Sequence, residues 1–131
     1  MTSHARGIFE ITLTPQPAEE TDPVGQMSIV KHFHGDIDGT SVGQMLAGRT
    51  AIENSAGYVA LERVTGMLHG QDGTFALQHY GLMARGVQEL SIVVVPDSGT
   101  GQLTGLTGSM TLEIVEGQHR YDLTYTLPGD R

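Results

Sequence analysis

Apolar and polar residues alternate with a period of two along most of this chain, the signature of strands with one buried face. From Gly7 to Thr14, Phe9, Ile11 and Leu13 share one face, and Ile8, Glu10 and Thr12 share the other. Gln26 to His34 and Ser41 to Arg49 flank Gly35 to Gly39, whose Asp-Gly ending signals a hairpin turn. A short helix over Ser41 to Gly48 is the alternative there, weakened by Gly43 and Gly48. Tyr58 to Gly70 reads as a long strand with a bulge at Gly66, and Gln71 to Gly73 as a tight connection into Thr74 to Gly81. Leu90 to Val95 is almost continuously apolar and rich in β-branched residues, so it is expected to be covered on both faces, in part by a partner subunit. After the irregular stretch Pro96 to Gly108, strands are expected over Ser109 to Glu116 and His119 to Leu127, where Tyr121, Leu123, Tyr125 and Leu127 alternate with Asp122, Thr124 and Thr126.

Eight short strands with brief links predict an all-β fold, a closed antiparallel eight-stranded β-barrel with a ligand-sized interior. An open two-sheet sandwich satisfies the same strand count. The polar break from Pro15 to Gly25, with three prolines, is expected to be a loop. At 131 residues a single domain over 1–131 is expected. The 18 glycines are about twice the usual share of roughly 7% and fall in clusters between strands, which strengthens the all-β reading.

Charge and cysteine usage narrow the function classes. The formal charge of −8 repels phosphate backbones and anionic lipid, arguing against nucleic acid and membrane surfaces as partners. With no cysteine, disulfides and thiolate-ligated metals are excluded, and a reducing compartment is allowed. The opening residues MTSHARGIFEIT carry no apolar core of a secretion signal and no apolar run is long enough to cross a bilayer, so a soluble cytoplasmic protein is the expectation.

The pattern SGTGxLxGLxG from Ser98 to Gly108, together with GYVALERVTGMLHGQDGTFALQH before it, resembles a family of small bacterial proteins with allene oxide cyclase-like barrels. More distantly it is similar to plant allene oxide cyclases and dirigent proteins. The resemblance implies an eight-stranded barrel with an apolar lumen that forms a homodimer or homotrimer. FEIT at Phe9 to Thr12 is similar to the cyclases' YEIN, which puts Glu10 at the position of their acid and Thr12 at that of an Asn. KHFHGD at Lys31 to Asp36 resembles their KLYTGD, with Val30 in place of a preceding Asn. Two amides that help to bind the epoxide oxygen are thus replaced, and the cyclase substrate does not carry over.

Three residues are candidates for catalysis. Glu10, if its face turns inward, would lose hydration and become a base near neutrality. Glu62 shares its face with Tyr58, Ala60 and Val64, and beside His79 or Tyr58 it would form an acid/base pair. His79 lies with Phe75 and Leu77 on an apolar face. For each, a surface or satisfied core residue is the plain alternative. Met27, Phe33, Met45, Tyr58, Phe75, Leu77 and Tyr125 would line the cavity, with Thr12, Val30 and His32 placed beside the ligand by the resemblance. His32 and His34 make the H-x-H pair of cupin metal sites, but the glutamate and third His expected there are missing, so no metal and no cofactor are expected. The leading expectation is a barrel that binds a small apolar or amphipathic molecule, with isomerase, cyclase or lyase chemistry on a lumenal carboxylate. The alternatives are a non-catalytic carrier or stress-related binder and, third, a cupin-like metal enzyme.

Overall fold

The computed structural model describes residues 2–17 and 24–129. Eight strands run in chain order: β1 (Ser3–Pro15), β2 (Val24–Gly35), β3 (Ile37–Arg49), β4 (Ala56–Leu68), β5 (Gln71–Ala84), β6 (Val87–Val94), β7 (Thr107–Val115) and β8 (Gln118–Thr126). Each pairs antiparallel with its sequence neighbours, and β8 returns to β1, closing the barrel. The sandwich alternative is thereby set aside. No α-helix occurs among the described residues, and the segment Ser41 to Gly48 lies wholly within β3. Most of the polar break between Pro15 and Gly25 lies outside the described residues.

Turn chemistry explains the connectivity. His69-Gly70, Arg85-Gly86 and Glu116-Gly117 each place two successive residues at positive φ, the backbone of a two-residue hairpin turn whose twist matches the strands. The turn between β4 and β5 therefore sits at His69-Gly70, and Gln71 to Gly73 belong to β5. Gly66 makes no bulge. Its pairing with Gly39 and Gly73 is continuous, and a Cβ there would fall 2.3 Å from the Asp38 carbonyl oxygen, so glycine lets the two strands approach.

The two ends of the barrel differ. At the end where β4 finishes and β5 begins, the glycine-rich segment after β6 folds back along β5. Thr100 N–H donates to the Thr74 carbonyl at 2.8 Å and Ser98 Oγ accepts from Ala76 N–H at 3.0 Å. A 3-10 turn at Gly101–Leu103 then drives Leu103 and Leu106 into the interior. They plug it together with Ile37, Leu68, Phe75 and Leu123, all buried in one apolar cluster. Tyr121 ties this end together, its hydroxyl accepting from Ile37 N–H at 2.9 Å and donating to the His34 carbonyl at 2.8 Å. The seam between β6 and β7 is narrow, two residue pairs only. In β6, Ile92 and Val94 are buried while Leu90 and Val93 are exposed, so two of the five apolar residues from Leu90 to Val95 lack cover within the chain.

Candidate functional site

Four neighbouring strands each send one polar side chain into the middle of the barrel: Lys31 from β2, Ser41 from β3, Glu62 from β4 and His79 from β5. Lys31 is 4% exposed, Glu62 2% and His79 5%. Register brings them together. Lys31 is directly opposite Ser41, while Glu62 stands opposite Gly43 and Leu77, one inward position along from Ser41 and from His79, which pairs with Ala60. Gly43 is required here, because a Cβ on it would meet the Leu61 carbonyl oxygen at 2.2 Å and Glu62 Cβ at 2.8 Å.

Glu62 is the hub. Its Oε1 accepts from Ser41 Oγ at 2.8 Å and its Oε2 from Lys31 Nζ at 2.7 Å. His79 Nε2 lies 2.5 Å from the same Oε2, a short ion-pair contact that is the only polar contact of that nitrogen among the described residues. Lys31 Nζ also sits 4.7 Å over the Phe9 ring and 5.8 Å from that of Phe33, whose π faces favour a cation stripped of water. Burial pushes the Glu62 pKa up, but His79 and the Lys31 charge outweigh it and hold the carboxyl down at about 2. Glu62 is consequently an anion across the neutral range, able to accept hydrogen bonds only.

Beyond this network the interior opens, at the end opposite the Leu103 plug, into a recess of about 310 Å³. Its walls are mainly apolar, with Met45, Ala47, Tyr58, Met83 and Leu90 among them. The Tyr58 ring lies against Gly81, where a Cβ would fall 2.2 Å from Cε1. Burial, and then the Glu62 charge, raise the Tyr58 phenol above its ordinary pKa, so it enters the recess as a neutral donor. Arg49, Gln88 and Glu89 are the other polar side chains that line the recess.

The candidate residues fall into three places. Glu62 and His79 meet in the network. Met45 and Tyr58 line the recess, with Met27 half-buried and paired to Met45, while Phe33, Phe75, Leu77 and Tyr125 are buried in packed interior. Glu10, Thr12, Val30 and His32 are exposed on the outer wall, because Phe9, Ile11, Ile29 and Phe33 take the inner face of β1 and β2. An outward Glu10 keeps its hydration and has no access to the lumen. Lys31 and Ser41 were not singled out from sequence. Their signal was present, for Lys31 stands between Ile29 and Phe33 on an apolar face and Ser41 between Gly39 and Gly43 on another.

A closed eight-stranded barrel with one plugged end, a buried ionic network and an apolar recess at the other end is the class that fold and site define. The chain belongs to the family described as protein of unknown function (DUF3224), whose model matches residues 5–125. It is similar to the crystal structure of a protein with unknown function from that family in Shewanella oneidensis MR-1, at 41% identity and a TM-score of 0.93. That match covers 99% of this chain and 100% of the other. None of the curated proteins matches the chain.

Proposed function

We propose that the protein binds a small apolar or amphipathic molecule in the recess at the open end, with the Tyr58 hydroxyl as its polar anchor. The observation that carries this reading is the recess itself, about 310 Å³ of mainly apolar wall at the lower end of the size of small-molecule sites. Met45 and Met83 give that wall adaptable surface, which suits a class of ligands more than a single shape. The depressed Glu62 carboxyl favours a binder over a proton-abstracting enzyme. A general base works best with a pKa near the operating pH, and about 2 is far below it. Glu62 then serves to hold Lys31 and His79 in place beneath the recess. The lack of cysteine fits a cytoplasmic setting for such a carrier.

The test uses N-phenyl-1-naphthylamine, a neutral apolar probe that the acidic chain does not repel. Blue-shifted, saturable fluorescence is expected, weakened at least about fivefold by Leu90→Glu, which puts a charge at the rim without touching the core. A wild-type protein that leaves the probe dark, or one whose binding Leu90→Glu leaves unchanged, refutes the reading.

The outer wall supports a second element of the proposal, self-association as a homo-oligomer. Leu46, Val59 and Tyr80 lie side by side across β3, β4 and β5, with Leu61 and Leu82 in the flanking rows and Val42 further along β3, all about half exposed. They offer on the order of 550 Å² of side-chain surface, at the top of the range for the largest patch on a monomer and approaching the ~800 Å² per partner of a standard interface. A second copy of this chain is the occupant that such a mainly apolar face suits, with Arg63 opposite Val42 and Glu89 opposite Leu82 putting one charge of each sign beside it. Leu82 also lines the recess, so a seated copy would narrow its mouth. Sedimentation equilibrium should give an oligomer for the wild type and a monomer for Leu61→Lys. A monomeric wild type at about 100 µM, well above the Kd of a stable pair, overturns it.

A further inference from the structure

The outer wall carries a group of side chains that the recess does not use. Glu10 on β1 stands directly opposite His32 on β2, and His34 follows on the same outer face. One ligand atom from each of the three lies within 4.8 Å of the others. Glu10 Oε1 is 2.5 Å from His34 Nε2, and the two imidazole rings are 4.4 Å apart, tilted by 37°. From these residues we propose a binding site for a divalent transition-metal ion of the zinc type, held by Glu10, His32 and His34.

Three properties support the assignment. Two imidazoles and one carboxylate form a donor set of borderline softness, suited to Zn²⁺, Ni²⁺ or Cu²⁺ and poorly suited to Ca²⁺ or Mg²⁺, which need more oxygen ligands. In a tetrahedral site with ligands at about 2.1 Å, ligand atoms sit roughly 3.4 Å from one another, so Glu10 and His34, now 2.5 Å apart, must open slightly while wider separations, none beyond 4.8 Å, close, both by side-chain rotation. The strand pairing holds the three Cα atoms in register, so little backbone ordering is needed on binding.

The surroundings separate this group from the other histidine–carboxylate contacts. His4 also meets an acid, Asp122, but Arg6 Nε shares that carboxylate at 3.0 Å and puts a fixed cation where an ion would sit. His69 meets Asp36 at 3.4 Å with no third ligand beside it among the described residues. At Glu10 no Lys or Arg forms an ion pair among the described residues, since Lys31, the cation of the adjoining position, points into the barrel. The chain's net charge of −8 adds a general attraction for cations. Three ligands on a wall whose outer side is open to solvent leave at least one coordination position for water, so the ion would be exchangeable and accessible.

The plain alternative is a surface ion pair between Glu10 and His34 with His32 stacked on it, and titration calorimetry separates the two. Protein without a polyhistidine tag, treated with chelator and dialysed, is titrated with ZnCl₂. One ion per chain is expected, with a Kd of about 10 µM or tighter. His32→Ala combined with His34→Ala should abolish binding, and Glu10→Gln should weaken it at least about tenfold. Glu10 and His32 are exposed and His34 is half-exposed, and unchanged far-UV circular dichroism verifies that the variants fold. Co²⁺ gives a second readout, for tetrahedral imidazole–carboxylate ligation produces intense visible absorption that loosely bound Co²⁺ does not. A wild type that takes up no Zn²⁺ at about 100 µM overturns the proposal, as does a double variant that binds Zn²⁺ as the wild type does.

Discussion

Replacing Glu62 with glutamine tests the electrostatic account of the barrel interior most directly. The substitution keeps the size of the side chain and an acceptor for Ser41, but removes the charge that Lys31 Nζ meets at 2.7 Å. The carboxyl is held at about 2 against an ordinary value of 4.5, which is worth about 3 kcal/mol of folding stability at neutral pH by proton linkage. Deleting one partner of a buried ion pair costs roughly 3–5 kcal/mol by an independent route, because the other charge is stranded. The two figures agree. Because the folded pKa is depressed, this stabilisation is complete above the unfolded value near 4.5 and drains away as the pH falls toward 2. Below that, the protonated glutamic acid and the glutamine are nearly equivalent. Urea unfolding followed by far-UV circular dichroism should therefore show a gap between wild type and Glu62→Gln of about 3 kcal/mol near pH 7, narrowing steadily below pH 4.5. Taking the difference cancels the other carboxylates that titrate in the same window, Asp122 among them. A gap under about 1 kcal/mol near pH 7, or one that stays constant into acid, would show that Glu62 is not the charge partner described.

Two further substitutions probe how the site is framed. Gly43→Ala sets a methyl against the Leu61 carbonyl oxygen and the Glu62 backbone, contacts that no rotamer can relieve, and should cost about 3 kcal/mol in urea unfolding; a loss under about 0.5 kcal/mol would mean that β3 and β4 can separate freely there. Tyr121→Phe leaves the buried Ile37 N–H without its acceptor and should lower stability by about 1–3 kcal/mol, with faster amide exchange at Ile37 as its local mark; unaltered exchange there would contradict the role of the hydroxyl.

The architecture was largely legible because a strand with one buried face repeats every two residues, and eight such runs punctuated by glycine leave few arrangements. The turn at His69-Gly70 was misplaced because Asp72-Gly73 carries the commoner turn residues, whereas the actual turn puts a histidine at positive φ. The supposed bulge at Gly66 failed for a related reason. A glycine within a strand signals close backbone approach as readily as an extra residue, and pairing with Gly39 and Gly73 selects the former. At the site, Glu62 and His79 stood out, and the apolar face around Lys31 was a weaker signal for the cation. A lysine flanked by isoleucine and phenylalanine reads as a solvated residue until its partner is known, and the partner lies 31 positions away.

The face of Glu10 follows from that of Glu62. Residues directly opposite one another in paired strands share a face, so an inward Glu62 carries its face-mate Val64 inward, and from Val64 the register runs to Ser41, to Lys31 and to Ile11. Ile11 inward forces its neighbour Glu10 outward, where it stands opposite His32. The two glutamates therefore cannot share the lumen in this register, although each was a candidate for it alone. The same parity sorts the run Lys31-His32-Phe33-His34, sending the lysine to the buried carboxylate and both histidines to the outer wall beside Glu10. A single-residue slip of β2 would exchange the two sets, burying imidazoles and exposing the lysine, and Glu62 would lose its counter-charge. The buried ion pair thus opposes that slip, and in doing so it keeps the outer ligand set assembled.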